Sequence, residues 1–254
     1  HHSVEGGEIM TTKLILASLM LAFAGGACAA GTITVYPGNS APPLTVTGAE
    51  RLADLVTQPT LAHSWWPGTV ISERQSTAVA EQQHQKLLAR LAALAADRGG
   101  DEGAAINGLR TQLQAIRVTG RQLVNLDPDR VRVNPESNPP LLGEYSLWVG
   151  QKPTTVTVMG LVSAPGKKTF APGRSVDEYL DDVSTLSGGD RSYAWVVYPD
   201  GKTVKAPVAY WNKRHVEPMP GSIIFVGFAD HIFSSAWDGL NEQILHSLTH
   251  RIPD

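Results

Sequence analysis

The chain is 254 residues long, 42% hydrophobic and 18% charged, with a formal net charge of −3. That balance supplies enough apolar material for a buried core and excludes a disordered or collagen-like chain. A charge so close to zero, with no long block of one sign, argues against a nucleic-acid protein; at roughly 100–150 residues per domain the length fits one large or two small domains.

Residues 1–29 read as tag remnant and signal peptide rather than fold. From Met10, a single Lys13 leads into an apolar run over residues 14–24, too short for a stable membrane span and suited to a signal-peptide core. Ala27-Cys28-Ala29 offers small residues at a cleavage site, so processing near Ala29 is expected. The competing reading is a lipoprotein acylated at Cys28, which lacks the leucine usual three positions upstream. Cleavage would leave no cysteine, hence no disulfide, thiolate metal site or thiol nucleophile. No later apolar run reaches about 18 residues. The expected address is a bacterial periplasm.

After the leader, Ile33 and Val35 alternate with threonines, Pro37-Gly38-Asn39-Ser40 turns the chain, and Leu44-Thr45-Val46 returns it as a hairpin. Thr47-Gly48-Ala49-Glu50 fits a capping box for a helix carrying Leu52, Leu55 and Val56, which Pro59 stops. Residues 73–97 are rich in Ala, Gln and Leu without Pro or Gly, with Leu87, Leu91 and Leu94 at helical spacing. Gly99-Gly100 breaks that pattern, and residues 104–117 place Ile106, Leu109, Leu113 and Ile116 on one stripe. The two should fold back as a hairpin of helices. Asp127-Pro128-Asp129 reads as a turn, and residues 145–149 as a closing strand.

The order recurs from Thr155. Val156 and Val158 alternate with polar residues, Ala164-Pro165-Gly166 turns, and Thr169-Phe170 begins a return strand. Ser175-Val176-Asp177-Glu178 should cap a helix carrying Val176, Leu180 and Val183 and ended by Gly188-Gly189. Residues 194–198, the Asp200-Gly201 turn and residues 203–208 form a second hairpin, and residues 222–226 the last strand. Hairpin, helix and closing strands in each half describe a duplicated β-grasp unit. The predicted class is therefore α+β, with a first β-grasp domain over residues 30–150 that carries the helical-hairpin insertion at about 73–117. A second domain covers residues 151–227, and the tail, 228–254, ends in an amphipathic helix over residues 235–249 displaying Trp237, Leu240, Ile244, Leu245 and Leu248. With Arg251 only at its end, that helix is expected to pack on its own domain rather than lie on a membrane.

Val156-Thr157-Val158-Met159-Gly160, Pro165-Gly166, the Ser175 helix, Ser187-Gly188-Gly189 and Pro220-Gly221-Ser222-Ile223-Ile224 resemble a soluble ligand-binding β-grasp (SLBB) domain of polysaccharide exporters. Over nearly the whole mature chain, Leu55-Val56-Thr57-Gln58-Pro59, Trp65-Trp66-Pro67-Gly68, Thr119-Gly120-Arg121, Leu126-Asp127-Pro128-Asp129, Asn138-Pro139-Pro140-Leu141 and Trp211-Asn212-Lys213-Arg214 are similar to the GfcC-like capsule and exopolysaccharide biosynthesis family. That resemblance implies a periplasmic protein with two ubiquitin-like, SLBB-type β-grasp domains, a helical insertion and a C-terminal helix. It implies no known reaction.

No Gly-x-Ser-x-Gly elbow and no glycine-rich phosphate loop occur. His246 and His250 share a helix face without an evident third ligand, and the Asp181-Asp182 and Asp127/Asp129 pairs lack the separation of glycosidase carboxylates. No catalytic residue, metal or cofactor is expected. The binding candidates are Arg121, whose planar fork suits carboxylates and phosphates, the turn indoles of Trp65 and Trp66, and the basic pair Lys213 and Arg214. A fold-bracing salt bridge is the competing role for Arg121. The expected function is a non-catalytic accessory protein in capsule or exopolysaccharide assembly, a monomer that binds polysaccharide or its anionic precursors, export-machinery proteins, or both. The alternative is a polysaccharide-modifying enzyme using a pocket near Arg121.

Overall fold

The computed structural model describes residues 31–38, 41–230 and 234–254. The leader, Cys28 and the Asn39-Ser40 part of the first turn lie outside the described residues. The class is α+β, built on two sheets.

The first sheet has four strands, β1 (Thr32–Tyr36), β2 (Leu44–Val46), β3 (Val70–Glu73) and β4 (Glu144–Trp148), in the order β2-β1-β4-β3. β1 and β2 are antiparallel, while β1 runs parallel to β4 with Ile33 opposite Tyr145 and Val35 opposite Leu147. Strict alternation sends Ile33, Val35, Ile71 and Leu147 to one face. There they meet Leu52, Leu55 and Val56 of helix α1 (Leu52–Val56) and Val131 of helix α4 (Pro128–Val133).

Three local expectations change here. Gly48 sits at φ +82, outside the helical region, so the Thr47 capping box does not form. Instead α1 begins at Leu52, where the Asp54 carboxylate accepts the Glu50 and Arg51 amides at 3.2 and 3.0 Å. Asn138 supplies a further cap, its Oδ1 accepting the Ala53 amide at 2.7 Å. Asp127 does not make a plain turn; it N-caps α4, accepting the Asp129 amide at 3.0 Å. The four-residue β3 carries too short a pattern to stand out from the Trp-Pro-Gly turn before it.

The helical hairpin forms as α2 (Arg74–Arg98) and α3 (Gly100–Gln114). Glu73 caps α2 by accepting the Gln75 and Ser76 amides, which holds its carboxyl below the usual range, and Gly99 ends it. α3 starts four residues earlier than the apolar stripe implies, with Asp101 and Glu102 in its first turn, where the helix dipole favours acids.

The second sheet is β5 (Thr155–Gly160), β6 (Gly166–Thr169), β7 (Tyr193–Val197), β8 (Thr203–Pro207) and β9 (Ile223–Val226), in the order β6-β5-β9-β7-β8. Its first hairpin and its central parallel pair, β5 with β9, repeat the arrangement of the first sheet. One face, with Val156, Val158, Val196 and Ile224, packs on Val176 and Tyr179 of α5 (Val176–Tyr179). That helix is a single turn. Ser163 donates to Ser184 O and Leu186 to Leu161 O, so residues 184–186 pair with the chain after β5 instead of continuing a helix to Gly188.

The other face, with Met159, Val197, Ile223 and Phe225, is covered by Leu87, Leu91, Ile106, Leu109 and Leu113 of the helical hairpin. The C-terminal helix α6 (Leu240–Thr249) adds Leu240, Ile244, Leu245 and Leu248 to the same cluster. So α6 packs on its own chain. Full burial of one such side chain contributes about 1.5–3 kcal/mol, and the layer is pinned by polar contacts besides. Gln112 brackets Gly160, donating to its carbonyl at 2.9 Å and accepting its amide at 2.8 Å. Arg90 donates to Gln243 and to the Ala236 and Asp238 carbonyls. Buried His84 links α2 to Leu113 O and Ser247 Oγ. The hairpin, though sequentially inside the first sheet, is thus core to the second.

Candidate functional site

Between the two sheets the chain passes twice through the same place. After α3, residues 117–121 run beside 250–252, with Thr119 donating to His250 O at 2.8 Å and Ile252 to Arg117 O at 2.7 Å. Glu73 donates to Gly120 O and Gln122 to Ile71 O, tying this ribbon to β3. Gly120 presses on the first turn of α2: a Cβ there would lie 2.2 Å from the backbone of Ser76 and Thr77, so only glycine permits the approach. The residue that follows is held between the sheets by these contacts.

It is Arg121. Its Nη2 donates to Pro199 O at 2.8 Å and its Nη1 to Thr249 O at 3.2 Å, joining the first sheet's edge to the β7–β8 turn and the end of α6. Two of five guanidinium N–H groups are thereby used. Arg251, from the adjacent strand of the ribbon, donates to Gly221 O at 3.1 Å. Among the described residues neither guanidinium has a carboxylate within 4.0 Å. Among the described residues Arg121 braces the fold through backbone carbonyls rather than through a salt bridge. Burial pulls Arg121 down to about 10, with Asp200 countering and the like charge of Arg251 adding to the fall. Burial lowers Arg251 as well, against Asp254. At neutral pH Arg121 remains a cation.

Both arginines line a cleft of about 420 Å³, together with Lys152, Lys167, Trp65 and Trp148. Four cations face one carboxylate there, Asp254, which pairs with Lys167 at 3.1 Å. Four cations against one carboxylate around an open volume have the chemistry to take an anion, which would relieve their mutual repulsion and find planar forks to bind it.

Of the sequence candidates, Arg121 and Trp65 meet in this cleft. Trp65 lies over its own turn, since a Cβ on Gly68 would sit 2.5 Å from the indole. Its neighbour Trp66 packs on the first core and lines a neighbouring cavity of about 410 Å³ with Leu123 and Met219, which Arg121 also borders. Lys213 and Arg214 line neither cavity: both sit exposed on the turn after β8, where Lys213 pairs with Asp177 at 3.4 Å. Arg251, Lys152, Lys167 and Trp148 join the site from distant positions that no local motif marks. His246 and His250 stack at 4.0 Å, and among the described residues no group of three or more His, Cys, Asp or Glu side chains could hold a metal.

A family described as "Capsule biosynthesis GfcC, N-terminal" matches residues 29–152, and its counterpart "Capsule biosynthesis GfcC C-terminal" matches residues 164–253. The chain belongs to the GfcC capsule biosynthesis family. A protein of Escherichia coli (strain K12) described as "Uncharacterized protein YjbG" is 61% identical to it over 244 residues, covering 96% of this chain and 100% of the relative. Family membership sets a role in capsule or exopolysaccharide assembly. No helix among the described residues is long and apolar enough to cross a membrane.

Proposed function

We propose that this is a non-catalytic periplasmic accessory protein of capsule or exopolysaccharide assembly that holds a carboxylate- or phosphate-bearing stretch of glycan in the Arg121–Arg251 cleft. The carrying observation is the charge of that cleft, four cations against one carboxylate, with neither guanidinium ion-paired among the described residues. Glycan of this kind offers flat, charged groups for the arginine forks and apolar ring faces for Trp65 and Trp148. We read each sheet as a β-grasp unit, the second SLBB-like, because both place an antiparallel hairpin beside a central parallel pair. On this reading the hairpin at residues 73–117 is an insertion in the first unit that serves the second, the leader exports the chain, and export-machinery proteins are further partners.

Titration calorimetry with purified protein tests the ligand. Acidic oligosaccharides should bind, and reduction of their carboxyl groups to alcohols should weaken binding at least tenfold. Equal binding of acidic and carboxyl-reduced forms would remove the anion role, and shortening of the glycan during incubation would overturn the non-catalytic reading in favour of an enzyme.

A further inference from the structure

A third and larger cavity, about 990 Å³, lies on the other side of the Arg121 ribbon, where Thr119 and Ile252 line it while Arg121 and Arg251 face the cleft. Its floor is the open face of the first sheet. The alternation that buries Ile33, Val35 and Leu147 turns Thr32, Thr34 and Ser146 outward, and no apolar layer covers them. Its wall is the first half of α2, which leaves β3 at Arg74 and carries its buried residues away to the second sheet. α2 lines the groove with Thr77, Ala78, Gln82 and Gln85, together with His84 and the charged Arg74 and Glu81. Sheet and helix therefore diverge from a common corner and enclose a groove in which hydroxyls and amides stand beside the apolar side chains of Ile116, Val118 and Ile252 and the ring of Trp148.

The groove differs from the cleft in charge. Its ionised side chains are two arginines, Arg74 and Arg117, against two glutamates, Glu81 and Glu144, and Arg74 pairs with Glu144 at 2.5 Å on the rim. It thus offers no net field to an ion, but many donors and acceptors to a neutral polar chain. It also holds an aromatic wall: Trp148 stacks on Tyr36 with ring centres 5.2 Å apart and planes 10° apart, and Trp148 lines both the groove and the cleft. The volume is at the upper end of ordinary ligand sites.

We infer that the groove is a second binding site, for an uncharged, hydroxyl-rich run of pyranose units, placed so that Trp148 lies between it and the anion cleft. It rests on the reading of the protein as a glycan binder, and it adds that one chain is held in two chemically distinct segments, acidic units at the arginines and neutral units along β1 and β4.

The test uses the purified protein with two probes, a neutral hexaose of pyranose units and an acidic oligosaccharide, read by amide chemical-shift changes and calorimetry. Ala78→Trp fills the groove from an exposed helix position, Thr34→Val removes a hydroxyl at constant shape, and both should melt as the parent does. The neutral probe should shift amides of β1, β4 and the start of α2. Ala78→Trp should weaken it at least tenfold and Thr34→Val about threefold, while Arg121→Lys leaves it unchanged. The acidic probe should be weakened by Arg121→Lys and left unchanged by Ala78→Trp and Thr34→Val. Neutral binding indifferent to Ala78→Trp, or absent while acidic binding persists, would overturn the groove and leave the cleft standing. Absence of both would remove the glycan reading itself. Self-association that Ala78→Trp abolishes, with no effect on the neutral probe, would make the groove a contact between two copies.

Discussion

The two sheets share a strand arrangement but differ in how they are covered. The second is sandwiched, with α5 on one face and α2, α3 and α6 on the other, and every residue of β9 is buried. The first is fully covered on one face, while on the other only its β3 edge is buried, and β1 alternates between core and surface. Sequence records the difference directly: Ile223-Ile224-Phe225-Val226 is continuously apolar, whereas Thr32-Ile33-Thr34-Val35-Tyr36 alternates. The consequence is a division of labour within one chain. The second sheet anchors the helices, and the helices in turn hold the polar face of the first sheet open beside the arginine cleft.

Removing the helices should break that arrangement most severely. From sequence alone, a hairpin placed between elements of the first unit looks dispensable, because loop-length entropy grows slowly. The packing says otherwise, since Leu87, Leu91, Ile106, Leu109 and Leu113 cover Met159 and Phe225. Replacing residues 74–117 by a Gly-Ser linker should abolish cooperative thermal unfolding of the second sheet, seen by calorimetry and by loss of dispersed amide signals from β5, β7 and β9. A deletion protein with an intact melt would show that the second sheet stands without them.

A single substitution on each side of the comparison gives the next effect. Leu245 is buried against the second sheet's helical face, and Leu245→Asp puts an unpaired carboxylate there, which should cost more than about 3 kcal/mol. For a protein of this size that is a fall of roughly 10 °C in melting temperature. Thr34→Val on the open face of the first sheet should change stability by less than about 0.5 kcal/mol. Equal losses at the two positions would mean that the first sheet's outer face is core after all.

At the junction of the sheets, Arg121→Ala should cost about 1–3 kcal/mol, because the Pro199 and Thr249 carbonyls lose their donor inside the protein. Acidic-glycan binding should fall further than stability does. Arg121→Lys keeps a charge and one contact but not the fork, so it should restore most of the melting temperature and only part of the binding. Full rescue of binding by Lys would reduce the site to a point charge.

The residues of this junction show where sequence reading reaches its limit. Arg121 is legible as a candidate because its planar fork follows Gly120 where the helical insertion returns to the first sheet, and the long helices and the α6 face are legible from periodicity over many residues. Lys152 and Lys167, in the linker after β4 and on β6, carry no local mark of the cleft they line, and Arg251 and Trp148 become site residues only through the pairing of 117–121 with 250–252 and of β1 with β4. Such pairings join positions more than 100 residues apart, and no local pattern encodes them. Trp65 and Trp66 look equivalent in the sequence, yet the turn sends one indole to the cleft and the other to the first core.

The smallest predicted effect concerns how the helical layer is locked. His84 is buried, with Nε2 donating to Leu113 O at 3.0 Å and Nδ1 accepting from Ser247 Oγ at 2.9 Å, which fixes one neutral tautomer. Burial lowers its pKa below 6.5, the Leu113 carbonyl only partly opposing. A lowered histidine pKa means that the folded protein disfavours the proton more than the unfolded chain does. The stability it contributes is therefore complete above about pH 6.5 and is lost as pH falls through the folded-state value. His250, lowered by burial and by the charges of His246 and Arg121, acts in the same window. Melting temperature should accordingly decline between pH 7 and about pH 5, less steeply in His84→Gln and least in the double variant with His250→Gln. A further decline below about pH 4.5 belongs to Glu73, whose lowered pKa is a separate source, and should persist in all three proteins. Identical slopes between pH 7 and 5 in the parent and the double variant would show that neither histidine senses the packing of the helices on the second sheet.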